Sequence, residues 1–294
     1  MIEDHNGATM LSLSDQQIQD FQHDGFLVVD NLISSHTIMQ LRECFERLFN
    51  GEFETGVQPD EVNWQYAGGD QSLTRQICNG WRADRTIARV VLREDLGRAI
   101  ASLADWPGAR IMQDNVIYKP PGARPIGYHR DNAYLSWYRP TAMLSCWIAL
   151  DDTSADGGTI ELARGSHHWP PSEQRGDFHG PDDYQAAMQQ SAAQQQQVAD
   201  IVPVEVKAGG GSFHHGWLWH GSGYNRTSHP RRALVLHAIP SNARYIEQRL
   251  GDGNGPVYGR YRKLGSDEMD ENYFPVLWRA DGYRTVAIDA YLEN

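Results

Sequence analysis

The segment Gly127-Tyr128-His129-Arg130-Asp131 sets an imidazole and a carboxylate two residues apart. Side chains i and i+2 of an extended strand share a face, so His129 and Asp131 can offer a nitrogen and an oxygen to one ion. Alone, the pair reads as well as a polar strand end. A second segment, Trp219-His220-Gly221-Ser222-Gly223-Tyr224-Asn225, changes the balance, because Arg231 and the apolar run 233–238 follow it. His220 lies 91 residues beyond His129 (220 − 129), enough for several strands to return the chain to the same ion.

Two histidines and one carboxylate on one face of an octahedral ion leave three positions open, the facial arrangement that suits non-haem iron(II). A 2-oxo acid takes two of them through its C1 carboxylate and keto oxygen, and dioxygen takes the third. The far carboxylate of 2-oxoglutarate then needs a cation at a fixed distance. Arg231, eleven residues after His220, is the expected anchor, since a guanidinium forks onto a carboxylate. Ser222 is expected to add a hydroxyl. Among 12 histidines, His214 and His215 rival His220 but lack its downstream Ser and Arg, so they are expected to end a strand beside the site. His167 and His168 read as a polar turn, and His237 as a hydrogen-bonded core histidine.

The elements that must position these groups come in two kinds. Ser14-Asp15-Gln16-Gln17 signals a capped helix start and Gly25 its end. The run 26–29 reads as a strand. A second helix begins at Ser34 or Ser35, carries Ile38, Leu41, Phe45, Leu48 and Phe49 on one face, and stops at Gly51. From about residue 110 short β-rich runs alternate with turns: 116–118, 144–150, 159–162, 202–206, 211–213 and 233–238. Helices first and strands later indicate an α+β chain built around a sandwich or barrel. Residues 170–200, rich in Gln, Asp, Ser and Gly, interrupt the strands, with a helix expected over 184–197.

The 294 residues carry 38 acidic and 26 basic side chains, a formal charge of −12, which argues against nucleic acid as a partner. No apolar stretch is long enough for a membrane helix, and MIEDHNGATM has no signal-like pattern, so the expected location is cytoplasmic. Cys44, Cys78 and Cys146 form no CxxC pair and read as buried reduced thiols.

Over roughly residues 14–240 the chain resembles the phytanoyl-CoA dioxygenase-like family of iron(II)/2-oxoglutarate oxygenases. The resemblance rests on His-x-Asp at 129–131, His-Gly-Ser-Gly-x-Asn-x-Thr at 220–227 and Arg231. It implies His129, Asp131 and His220 as catalytic metal ligands, and Arg231 and Ser222 as co-substrate contacts. It also implies a strand tryptophan, Trp147, and a further contact, Asn115, in the 2-oxoglutarate pocket. Where the family commonly has Pro before Gly-Ser-His, this chain has Ala163-Arg164 before Gly165-Ser166-His167. The implied fold is a mainly β, double-stranded β-helix (a cupin-like jelly roll) with N-terminal helices packed outside. On this reading 1–294 form a single oxygenase domain: a helical part over about 10–105, a core over about 110–240 with the 170–200 insertion, and a C-terminal extension over 241–294.

The resemblance implies Fe(2+), 2-oxoglutarate and O2, with ascorbate as a stimulant, and a dioxygenase that hydroxylates a small molecule while 2-oxoglutarate becomes succinate and CO2. In related halogenases a small residue replaces the metal carboxylate, so Asp131 directs the expectation to oxygen insertion rather than halide. Tyr134 reads as pocket rim or wall, Trp137 as packing, and Arg130 and Arg164 as candidate contacts to an anionic substrate group. The alternatives are a non-catalytic cupin-like binding protein and a cupin dioxygenase that needs no 2-oxoglutarate.

Overall fold

A computed structural model describes residues 11–63, 70–170, 176–246 and 256–293. Parts of the 170–200 insertion and of the C-terminal extension therefore lie outside the described residues.

Helix α1 (Asp15–Asp24) starts where expected: the Ser14 hydroxyl accepts from the Gln17 N–H, and the Gln17 side chain returns the bond to the Ser14 backbone. Gly25 closes it at φ +81, a left-handed turn that a Cβ would strain, and the chain enters β1 (Phe26–Val29). Ser34 caps α2 (Ser35–Phe49), whose buried face carries Ile38, Leu41, Cys44, Phe45, Leu48 and Phe49. Strands β2 (Glu61–Val62) and β3 (Arg75–Cys78) follow, then helices α3 (Arg85–Val91) and α4 (Glu94–Ala104).

The strand-rich part runs β4 (Gly108–Lys119), β5 (Ile126–His129), β6 (Tyr138–Arg139), β7 (Leu144–Ala149) and β8 (Ile160–Ala163). Helix α5 (Ala186–Gln194) occupies the insertion, inside the expected span. Then come β9 (Ile201–Pro203), β10 (Gly211–His215), β11 (His220–Ser222), β12 (Arg231–Pro240) and β13 (Arg244–Tyr245). The short helix α6 (Pro256–Gly259), β14 (Val276–Arg279) and α7 (Ala287–Glu293) complete the described chain.

All pairings are antiparallel. The larger sheet has the order β1-β10-β7-β12-β4-β3-β2, with β14 also on β4; the smaller has the order β5-β11-β8-β9. Strand β14, in the C-terminal extension, thus adds to the larger sheet. Two facing antiparallel sheets make the jelly roll.

Period-2 alternation decides which residues reach the interior. Along β7 and β12, Leu144, Cys146, Ile148, Leu234 and Leu236 pack outward with the helices in one apolar cluster. Trp147, Ala149, Ala233 and Val235 point the other way and meet Ile160 and Leu162 of the smaller sheet. Each fully buried aliphatic side chain contributes about 1.5–3 kcal/mol, so the two clusters fix the register of β7 and β12. That register also aims Ser145, Trp147, Arg231 and His237 into the space between the sheets.

Candidate metal and co-substrate site

His129 closes β5 and His220 opens β11, and the two are direct cross-strand partners. Their rings lie 4.2 Å apart between centroids. Asp131 departs from the strand geometry expected for it. The backbone turns after His129, and Asp131 is the first residue of a 3-10 turn over Asp131–Tyr134. That turn carries the carboxylate back over the strand end, so Oδ1 lies 3.5 Å from Nε2 of both His129 and His220. Ligand atoms of the three residues all fall within 4.8 Å of one another.

The donor chemistry fits a divalent ion. Nδ1 of His129 donates to the Gly127 carbonyl and Nδ1 of His220 to the Leu218 carbonyl, each at 2.9 Å. Those bonds place the ring protons on Nδ1 and leave Nε2 bare toward Asp131, as metal-bound histidines require. Burial pushes the His220 imidazole well below its usual range. Burial alone would raise the Asp131 carboxyl, but His220, His129, His214 and His237 outweigh it and hold the group well below the carboxylate range. Each shift favours a ligating form, the neutral His220 ring or the ionised Asp131 carboxylate.

Arg231 begins β12, and its Nε and Nη2 donate to the Gly158 carbonyl at 3.2 and 2.9 Å. Gly158 has φ +65, and a Cβ there would meet the Gly223 carbonyl at 2.7 Å, so the Asp156-Gly157-Gly158 turn must approach this closely without a side chain. Trp147 lies beside the guanidinium, 5.8 Å from its Cζ. Burial draws Arg231 down to about 10. Directly across the ladder stands Lys119, fully buried, whose Nζ donates to the Ser222 hydroxyl at 2.8 Å and to the Gly223 carbonyl.

These groups share one cavity of about 450 Å³, within the usual range for small-molecule sites. Arg231, Ser222, Trp147 and Val235 line one part of it, the triad, His214 and Asn115 another, and Tyr134, Leu135, Trp137, Phe178 and Tyr258 a third, the far part. Glu61, Gln76 and Gln113 add polar wall. Tyr134 lies edge-on to His129 at 6.4 Å and is 38% exposed, a position on the cavity rim. Trp137 both lines the cavity and packs, stacked on Tyr258 at 5.5 Å.

Arg130 and Arg164 are not among the residues lining this cavity. Arg130 lies over the Trp219 ring at 4.7 Å, on the reverse of the turn that presents Asp131. Arg164 pairs with Asp24 and Asp200 and lies over Phe26. Their neighbourhood in sequence to His129 and His167 does not carry them to the cavity, because alternation and ion pairing turn them outward.

Several residues in or beside the cavity wall carry no motif. Ser145 and His237 follow from parity, two residues before Trp147 and six after Arg231. Gln113 stands two before Asn115. Phe178, 4.7 Å from the His129 ring, and Tyr258 arrive from segments with no periodic signal.

A jelly roll with this triad between its sheets, and a buried arginine at one end of the same cavity, defines an iron(II)/2-oxoglutarate-dependent oxygenase. The chain belongs to the phytanoyl-CoA dioxygenase (PhyH) family, whose profile matches residues 21–233. It is 25% identical over 253 residues to the peroxisomal phytanoyl-CoA dioxygenase of Homo sapiens, covering 79% of this chain and 70% of that one. A phytanoyl-CoA dioxygenase of Arabidopsis thaliana is 26% identical over 262 residues, covering 79% and 90%. Among solved structures, the carbocyclase SnoK from nogalamycin biosynthesis superposes with a TM-score of 0.69 at 22% identity, covering 90% of this chain and 96% of that chain. The epimerase SnoN, solved with Fe3+, alpha ketoglutarate and a nogalamycin compound, gives 0.67 at 19% identity, covering 90% and 98%.

Proposed function

We propose that the protein hydroxylates a small organic molecule: R–H, 2-oxoglutarate and O2 become R–OH, succinate and CO2. The observation that carries this is the buried Arg231 at the end of the same cavity that the triad lines. His129 and His220 would hold the metal through Nε2 and Asp131 through Oδ1. Arg231 and the Ser222 hydroxyl bind the far carboxylate of 2-oxoglutarate, with Trp147 and Asn115 as walls. Iron(II), when bound, would supply the oxidising chemistry. The chain's own part is to orient both molecules and keep bulk water out. Tyr134, Trp137, Phe178 and Tyr258 form the surface against which the substrate lies.

No helix among the described residues is long and apolar enough to cross a membrane. We assign the protein to the cytoplasm; three buried free cysteines suit a reducing compartment.

The test is succinate formation from 2-oxoglutarate with iron(II) and ascorbate, screened against a panel of small metabolites. The reading requires that His129→Ala and Asp131→Ala abolish it. A wild-type protein that binds neither metal nor 2-oxoglutarate overturns the reading in favour of a binding protein. Turnover that ignores 2-oxoglutarate favours the other cupin dioxygenases.

A further inference from the structure

Asp131 presents its two oxygens to different surroundings. Oδ1 faces the two Nε2 atoms; Oδ2 accepts from the Ser145 hydroxyl at 2.9 Å. Nε2 of His214 and Nδ1 of His237 lie slightly beyond bonding distance of Oδ2, at 3.6 and 3.7 Å. The Ser145 bond begins a longer series. Ser145 Oγ lies 2.7 Å from His237 Nδ1, and His237 Nε2 lies 3.1 Å from the Asn115 amide nitrogen. Asn115 Oδ1 accepts from the Gln113 amide at 3.1 Å, and Gln113 Oε1 accepts from the Tyr258 hydroxyl.

The direction of every bond is forced. An ionised carboxylate only accepts, so Ser145 must donate to it. With its one proton used, Ser145 accepts from His237, which puts the ring proton on Nδ1. His237 Nε2 is then bare and accepts from Asn115. Asn115 Oδ1 takes a proton of Gln113, and Gln113 Oε1 takes the Tyr258 proton. All donors therefore point from Tyr258 toward the metal carboxylate, the alignment in which each bond polarises the next. The series runs across the larger sheet: Gln113 and Asn115 from β4, His237 from β12, Ser145 from β7. Its first member lies in the far wall, stacked on Trp137.

We propose that Tyr258, Gln113, Asn115, His237 and Ser145 form a positioning chain through which occupancy of the far cavity is felt at Asp131. The chain keeps Oδ2 engaged, which would leave Oδ1 as the oxygen free for a metal. A substrate seated against Tyr258 that takes over its hydroxyl proton weakens the first donor and so alters the donation reaching Oδ2. This rests on the reading that Asp131 is a metal ligand.

The experiment uses the full chain loaded with cobalt(II), whose visible d–d absorption reports the ligand field. Wild-type protein that takes up no cobalt sinks the metal reading itself, not the chain. Given uptake, Ser145→Ala is expected to weaken cobalt affinity about 10–100-fold, as loss of an outer-shell partner does, and Ser145→Thr to restore affinity and spectrum. Tyr258→Phe keeps the ring but removes the donor; it should weaken affinity about 3-fold and move the d–d band the same way as Ser145→Ala. The double variant should bind no worse than Ser145→Ala, because the link is already cut. A Tyr258→Phe protein with wild-type affinity and spectrum, or a double variant whose losses multiply, overturns the proposal.

Discussion

The Lys119 ammonium donates to the Ser222 hydroxyl at 2.8 Å, directly across the ladder from Arg231. An ammonium cannot accept, so the Ser222 proton is turned away from it, toward the cavity that Ser222 lines. Nζ also reaches the Ser222 and Gly223 carbonyls, so three acceptors match its three protons.

Lys119→Met should therefore lower 2-oxoglutarate affinity about 10-fold while leaving metal affinity unchanged, as calorimetric titration of the metal-loaded protein would read. A charged hydrogen bond is worth about 1.5–3 kcal/mol. Burial, then the Arg231 charge, draws the Lys119 ammonium well below its usual 10.5. Raising the pH discharges it, so wild-type 2-oxoglutarate affinity should decline with rising pH before an ordinary lysine would titrate. Lys119→Met should lack that decline.

Arg231→Lys keeps a cation but loses the fork that Gly158 orients. The 2-oxoglutarate requirement for succinate formation should rise at least 10-fold, with metal affinity retained. Equal loss of both would mean that Arg231 supports the fold rather than the co-substrate.

Gly158→Ala should imitate that loss from the other side of the bond. Its Cβ would meet Gly223 O at 2.7 Å and Lys119 Cε at 2.9 Å. Co-substrate affinity and melting temperature should both drop.

Much of this site is legible in the sequence, and for a stated reason. Ser222 and Arg231 sit at fixed offsets from His220 because β11 and β12 follow one another in the chain, so spacing alone carries them. Asp131 is legible as a ligand although its 3-10 turn is not: the type and offset of the residue survive a change of local backbone. Trp147 marks the inward face of β7, and parity from it reaches Ser145. Lys119 and Tyr258 are different. Lys119 meets Ser222 only where β4 of the larger sheet faces β11 of the smaller, 103 residues on, and Tyr258 meets Gln113 across 145 residues of chain. No local period encodes such contacts. Arg130 and Arg164 show the converse, since adjacency to a motif says nothing about the direction a side chain takes.

His215 gives a prediction about stability. Burial lowers its imidazole from 6.5 to about 4, so the fold favours the neutral ring. The unfolded chain then binds more protons between those values, and stability present above pH 6.5 is lost as the pH falls toward 4. His215→Gln should flatten the fall in unfolding free energy of the metal-free protein over that window by about 2 kcal/mol, as measured by denaturant unfolding followed by circular dichroism.

Both metal histidines belong to the smaller sheet, while Asp131 is tied through Ser145 to β7 of the larger. An ion held by all three is therefore a rivet between the two halves of the roll. Drawing it out removes the link that would run from the His129 and His220 rings through Asp131 and Ser145 to β7. The mouth of the cavity should then breathe more widely, and amides along β5 and β11 should exchange with solvent sooner than those of β12, whose neighbours on both sides stay in place.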